Sequence, residues 1–167
     1  MTTMAASFDE RFDALAAVAY RVAYRLLGDR ADAEEIAQEA LARAYVRWRK
    51  VADHDEPWVA RVATNLAIGH WRKRKPTIVF EDELGTPTPG PDALALERVG
   101  LIEAIARLPR RQREAVSLRY LADLSEREVA EAMHTTVGSV KQHTYRALAR
   151  LRVDLAPIVL ASEADDA

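Results

Sequence analysis

The stretch LSEREVAEAMHTTVGSVKQHTYRALARL, Leu124 to Leu151, decides how this chain folds. Leu124, Val129, Ala130 and Met133 recur at helical spacing, Thr135-Thr136 interrupts them, and Val137, Val140, Ala147, Leu148 and Leu151 resume the pattern. Ser125, with Glu128 three residues on, is a capping box that starts the first helix. The pattern predicts two helices joined by a tight turn, the second beginning near Val137. That helix buries Val140, Leu148 and Leu151, takes Val137 as a further core position, and turns Ser139, Lys141, Gln142, His143 and Arg146 outward. Short polar and basic side chains near the start of an exposed helix are what a DNA major groove accepts.

Upstream of this segment, Leu94 to Leu108 predicts one helix and Pro109 opens another that runs to about Leu121. Pro157 and the acidic SEADDA mark a frayed end after Leu155. Before it lies a stretch from Pro76 to Asp92 that includes the string GTPTPGPD. Four prolines and two glycines in that stretch exclude a continuous helix, and a structureless segment this long reads as a flexible linker between domains. Thr77 to Phe80 is the sole β-like run and is too short to build a sheet.

The first block, Phe8 to Lys75, predicts three helices. Phe8, Phe12, Leu15, Val18, Ala19 and Val22 give the first, stopped at Gly28-Asp29. Asp32 is the expected N-cap of the second, Ala33 to Arg49, with Glu34 and Glu35 in its first turn. Val51 to Glu56 reads as a polar loop, and Pro57 suits the first turn of a third helix ending near Lys75.

The 167 residues are 49% hydrophobic, enough for one ordinary domain or two small ones. No apolar run reaches the roughly 18–20 residues of a membrane span, and the N-terminus lacks the basic and apolar regions of a signal peptide. The absence of cysteine excludes disulfides and thiolate chemistry. His54, His70, His134 and His143 show no metal-ligand spacing. No nucleophile elbow or phosphate loop is present, so neither an enzyme nor a cofactor is expected. The net charge of −2 conceals segregation. Asp29 to Glu39 is acidic, whereas Arg43 to Lys75 holds a strong excess of cations, which points to nucleic acid.

Three segments together carry a family resemblance. The chain resembles a small sigma-70-type initiation factor of the extracytoplasmic-function (ECF) class, and within it the actinobacterial SigE-like group. The resemblance implies two all-helical domains. A domain 2 at 8–75 and a domain 4 at 93–155 flank a linker at 76–92, and a tail spans 156–167. In Leu26 to Trp48, Asp32, Ala33, Glu34, Glu35, Gln38, Glu39 and Ala44 match the helix that binds the β′ clamp helices of core RNA polymerase. Acidic and amide groups on one face suit a basic partner helix, and Asp32, Glu34, Glu35, Gln38 and Glu39 are the implied contacts. Ala40-Leu41 departs from the family's bulkier pair.

In Pro57 to Lys75 the match is to the helix that recognises and melts the −10 element, preceded by a loop that captures a flipped base. It implies Arg61, Asn65, Trp71, Arg72, Lys73, Arg74 and Lys75 as DNA-binding residues, and held single strands do need cations and aromatic surfaces. Trp58 reads as core. Gly69 stands where the family has an acid.

In the third segment Leu108, Pro109, Arg113, Leu118, Arg119, Tyr120, Leu124, Ser125, Glu128, Val129 and Ala130 match. Ser139, Lys141, Gln142, His143 and Arg146 are thereby implied to contact the −35 element. Arg110, Arg111 and Arg113 are candidates for phosphates or polymerase. His134 replaces a turn glycine at a position that favours positive φ.

The implied partners are core polymerase, through the β′ clamp helices and the β flap, and promoter DNA in the cytoplasm. The class extends an anti-sigma protein to this chain as a further candidate. A stand-alone helix-turn-helix regulator is the alternative, but it leaves the first block unexplained.

Overall fold

The computed structural model describes residues 6–74 and 93–165. The expected linker, Lys75 and the β-like run lie outside them. The N-terminal domain is a bundle of α1 (Phe8–Leu27), α2 (Arg30–Val46) and α4 (Asp55–Arg74), with a short α3 (Trp48–Val51) and a 3-10 turn (Ala52–His54) between the last two. α1 buries Leu15, Val18, Ala19, Val22, Ala23 and Leu26, a stripe at helical spacing. Against it α2 and α4 set Ala33, Ala37, Ala40, Ala44, Ala60, Ala63 and Ala67, all buried. Side chains this small let helix axes approach closely.

The helix ends follow local chemistry. Ser7 and Glu10 form a capping box on α1, and Gly28 closes it at φ 70°. A side chain at Gly28 would meet both the left-handed backbone and the guanidinium of Arg98. Asp29, not Asp32, caps α2, its carboxylate accepting from the Asp32 amide at 2.9 Å. The left-handed Gly28 turns the chain at once, so the helix begins earlier than expected. Val51 to Glu56 is helical rather than a loop, and Pro57 sits in the first turn of α4, where its missing N–H costs nothing. Asp55 and Glu56 are drawn onto Arg11 of α1, at 2.6 and 2.7 Å, and these carboxylates raise the Arg11 pKa further above its ordinary value.

The C-terminal domain comprises α5 (Ala93–Arg107), α6 (Arg110–Val116), a π turn (Ser117–Leu121), α7 (Glu126–Ala132) and α8 (Val137–Asp165). Its core holds Ile102, Ile105, Leu118, Val129, Met133 and Val140, each at most 1% exposed. The helix-turn-helix is α7, a turn and α8. The turn is a Schellman motif: the His134 amide donates to Glu131 O and the Thr135 amide to Ala130 O. His134 takes φ 51°, the conformation expected there. Two further expectations change. Val137 is 37% exposed rather than core, standing as the first residue of α8. α8 also continues past Leu155, through Pro157, to Asp165, its last turns being rich in good helix formers such as Ala, Leu and Glu.

Buried residues of both domains form one continuous hydrophobic cluster. The linker reading did not foresee this contact between the domains.

Three substitutions test these local rules. Ser125→Ala removes the α7 cap (3.3 Å to the Glu128 amide) and should cost about 1 kcal/mol in urea unfolding. Hydrogen bonds from Ser125 hold the Glu128 carboxyl below its ordinary value. Its contribution is therefore present above the unfolded pKa and lost as pH falls through the lower folded one, and Ser125→Ala should flatten that acid limb. Gly69 lies mid-helix with open space around it, so Gly69→Ala should add about 0.5–1 kcal/mol. His134→Gly should stabilise by up to about 1 kcal/mol by relieving the left-handed residue; no gain would contradict that account of the turn.

Candidate nucleic-acid and polymerase interface

α2 places the acidic set in two environments. Glu34, Glu35, Gln38 and Glu39 are exposed, and Glu35, Gln38, Glu39 and Ala42 line one side of a groove of about 650 Å³. Across it, α4 contributes Asn65, Leu66, Gly69 and Lys73. Asp32 stands apart from the other four. Its side chain is 14% exposed and takes Arg74 Nη1 on both oxygens at 2.6 and 2.7 Å, with His70 Nε2 at 3.3 Å. It therefore ties the start of α2 to the end of α4, so Arg74 is engaged within the domain.

The remaining α4 residues also separate. Arg72 and Lys73 are exposed at its C-terminal end, where cations suit the helix dipole. Trp71 and Trp58 are half-buried, both packed against the core. Asn65 is exposed, whereas Arg61, one turn earlier, is half-buried and donates to Glu114 Oε1 of α6 at 2.7 Å.

On α8, Lys141, Gln142 and Arg146 are exposed and Ser139 and His143 half-exposed, while Val140, Ala147 and Leu151 anchor the opposite face. Thr136, unassigned from the sequence, orients the helix start: its Oγ1 accepts from the Ser139 amide at 3.1 Å and lies 3.0 Å from Ser139 Oγ. Lys141 lies 3.7 Å from Glu126 on α7, an exposed pair that a stronger anion could displace. Arg111 donates to Met133 O at 3.1 Å and Arg113 to Ala106 O at 3.2 Å, so both brace helix ends, whereas Arg110 is exposed.

Behind the helix-turn-helix, Leu101, Ile105, Val116, Tyr120, Leu121 and Leu148 line an almost wholly apolar groove of about 690 Å³. The sequence reading missed it. The exposure of Tyr120, an aromatic in an otherwise core-forming run, is visible only in the fold. No helix among the described residues is long and apolar enough to cross a membrane, and no His/Asp/Glu group among them could hold a metal ion.

With this geometry in place, two family models match: Sigma-70 region 2 over residues 12–77 and Sigma-70, region 4 over residues 98–151. The chain is 37% identical over 139 residues to the RNA polymerase sigma-E factor of Streptomyces coelicolor, covering 81% of this chain and 78% of that protein. It is 34% identical to the ECF RNA polymerase sigma factor SigW of Bacillus subtilis, covering 81% and 82%. Against the ECF sigma factor SigL of Mycobacterium tuberculosis the identity is 32%, with 86% of each chain covered. The chain therefore belongs to the sigma-70 family, as an RNA polymerase sigma factor of the ECF class. Sigma factors are DNA-binding initiation factors that engage core polymerase and promoter DNA. The fold is shared with CnrH, solved in complex with the cytosolic domain of CnrY (TM-score 0.54, 18% identity, 90% of this chain and 88% of that one). It is also shared with RpoE of Bartonella quintana, solved with the anti-sigma factor NepR (TM-score 0.52, 21% identity, 89% and 96%).

The split within the acidic set is testable by thermal unfolding. Asp32→Ala should lose about 1 kcal/mol, discounted for the exposed Arg74. Glu35→Ala and Gln38→Ala should stay within about 0.5 kcal/mol of the parent. An Asp32→Ala protein as stable as the parent would contradict the tether.

Proposed function

We propose that α8 reads the −35 element through Ser139, Lys141, Gln142, His143 and Arg146. The observation that carries this is a helix capped at Thr136, anchored by Val140, Ala147 and Leu151, and exposing Lys141, Gln142 and Arg146 on its outer side. Such a helix can enter a major groove without disturbing its own core. On the same reading, α4 receives the −10 element through Asn65, Trp71, Arg72 and Lys73, with Lys75 continuing the basic end. Arg61 and Arg74 stand at the edge of this surface, held on Glu114 and Asp32. The exposed Glu34, Glu35, Gln38 and Glu39 dock the β′ clamp helices, and the apolar groove beside Tyr120 takes a helix of the β flap. Asp32 then supports the polymerase face by holding it in place, not by touching polymerase.

The assigned domains are 8–75 and 93–155. The protein works in the cytoplasm beside its polymerase, needs no cofactor and catalyses nothing itself. An anti-sigma partner fits the company its structural neighbours keep. No observation favours a stand-alone regulator.

The test is transcription in vitro with sigma-free core polymerase from an actinobacterium and a promoter library, sequencing the start sites. Discrete starts with two spaced upstream elements are expected. Lys141→Ala or Arg146→Ala should reduce them by about tenfold or more, and Gln38→Ala with Glu39→Ala should weaken core binding by a similar factor. Initiation indifferent to Lys141 and Arg146 would remove the −35 assignment of α8. Failure to bind core at all would promote the stand-alone regulator.

A further inference from the structure

The start of α1 closes on both ends of the connection between α2 and α4, and the initiation reading gives this contact no role. At one end, Trp48 Nε1 donates to Ala6 O at 3.2 Å, and the Trp48 ring meets Phe8 edge-on with 5.3 Å between centres. At the other, Arg11 Nε donates to Asp55 Oδ2 at 2.6 Å. Arg11 Nη2 donates to Asp55 Oδ1 at 3.2 Å and to Glu56 Oε1 at 2.7 Å. Asp55 Oδ1 also accepts from the Glu56 amide at 2.7 Å, so one guanidinium joins two adjacent carboxylates to the first turn of α4.

The body of α4 is held without this help, because Val59, Ala60, Ala63 and Ala67 are fully buried along it. Residues 49–57 are different. Val51 is their one buried apolar side chain, which is too little burial to order a polar stretch by itself. Arg49, Lys50 and Asp53 are exposed there and His54 is half-exposed. The segment is nonetheless helical, so what Arg11 fixes is less α4 than the polar stretch leading into it.

We propose that Arg11 is a positioning residue for reading the −10 element: its forked grip on Asp55 and Glu56 holds residues 51–56 in one shape before DNA arrives. This rests on the −10 reading of α4 and of the segment that opens it. Arg11 acts through that segment and does not itself touch DNA. A loop would lose its conformational freedom on binding, and that loss would weaken every base contact it makes. A segment ordered in advance loses none, and its polar groups meet the strand in fixed places, where a small displacement is costly. The fork matters as well as the charge. A guanidinium engages two carboxylates in a set geometry, whereas an ammonium on a flexible stem supplies the charge alone.

The test compares the full-length parent with Arg11→Ala, Arg11→Lys and Val22→Ala. Val22 is fully buried on α1, so the last variant lowers stability while leaving the Arg11 contacts in place. Amide hydrogen exchange on the free chain reads the segment itself. Residues 51–56 should exchange about tenfold faster in Arg11→Ala, with α2 and the body of α4 still protected. Initiation with core polymerase on promoters randomised at each −10 position then gives the ratio between the best and the worst base. A read position should show a ratio on the order of tenfold or more in the parent, falling to about two in Arg11→Ala at unchanged affinity for core. Arg11→Lys should fall with it, and it carries the comparison if Arg11→Ala does not fold. Val22→Ala should melt earlier yet keep the parent's base preference. Exchange at 51–56 indifferent to Arg11 overturns the grip. Faster exchange with base preference intact overturns the positioning role, as does full preference in Arg11→Lys or an equal loss in Val22→Ala. If exchange responds but no −10 position is read even in the parent, the −10 reading fails and takes the positioning role with it, while the grip on 51–56 stands.

Discussion

Close packing through alanine is the constraint on which the N-terminal domain depends. α1, α2 and α4 meet along a seam where Ala19, Ala23, Ala33, Ala37, Ala40, Ala44, Ala60, Ala63 and Ala67 are buried. Each contributes little apolar area, so the bundle relies on contact geometry and on the few large residues beside the seam, such as Leu15 and Leu26. The consequence is functional. A seam this narrow uses only one stripe of α2 and α4, leaving most of each helix for the polar groups that line the groove between them. Bulkier seams would push the helices apart and separate Glu35, Gln38 and Glu39 from Asn65 and Lys73.

The same economy governs the charges. Arg74 closes on Asp32, Arg61 on Glu114, Arg11 on Asp55 and Glu56, and Lys141 approaches Glu126. Of the cations proposed to meet DNA, Arg61, Arg74 and Lys141 thus face an internal acid, whereas Arg72, Lys73 and Arg146 are exposed. Burial separates the fixed pairs from the exchangeable ones. Asp55, Asp32 and Glu114 are largely enclosed, and truncating a partner of any of them strands a charge. Lys141–Glu126 is open to water and yields to any stronger anion.

Much of this was legible because it is local. The capping box at Ser125, the left-handed turn at His134, the stop at Gly28 and the outward face of α8 all follow from rules spanning a few residues. The errors arose where two local rules compete. Asp29 and Asp32 both qualify as caps, and only the backbone turn at Gly28 decides between them. Polar Val51 to Glu56 looks like a loop until Arg11, 44 positions from Asp55, fixes it as a helix start. Pro157 signals an end that neighbouring helix formers override. The domain contact left no trace at all. Arg25 reaches backbone carbonyls 95 and 96 residues away, and a carbonyl has no residue type to recognise.

That last point bears on how a two-domain reader avoids futile binding. Two DNA-reading elements on one tether gain affinity when both sites are spaced to suit them, and would otherwise hold each other on nonspecific DNA. A net charge near zero weakens that attraction but cannot abolish it, because the basic end of α4 and the outer face of α8 are local. A contact that sets one domain's acid on the other's cation acts on the local field directly. Beside Glu114, Arg61 is such a cation: it is half-buried and paired, so it adds little to the field at the surface of α4.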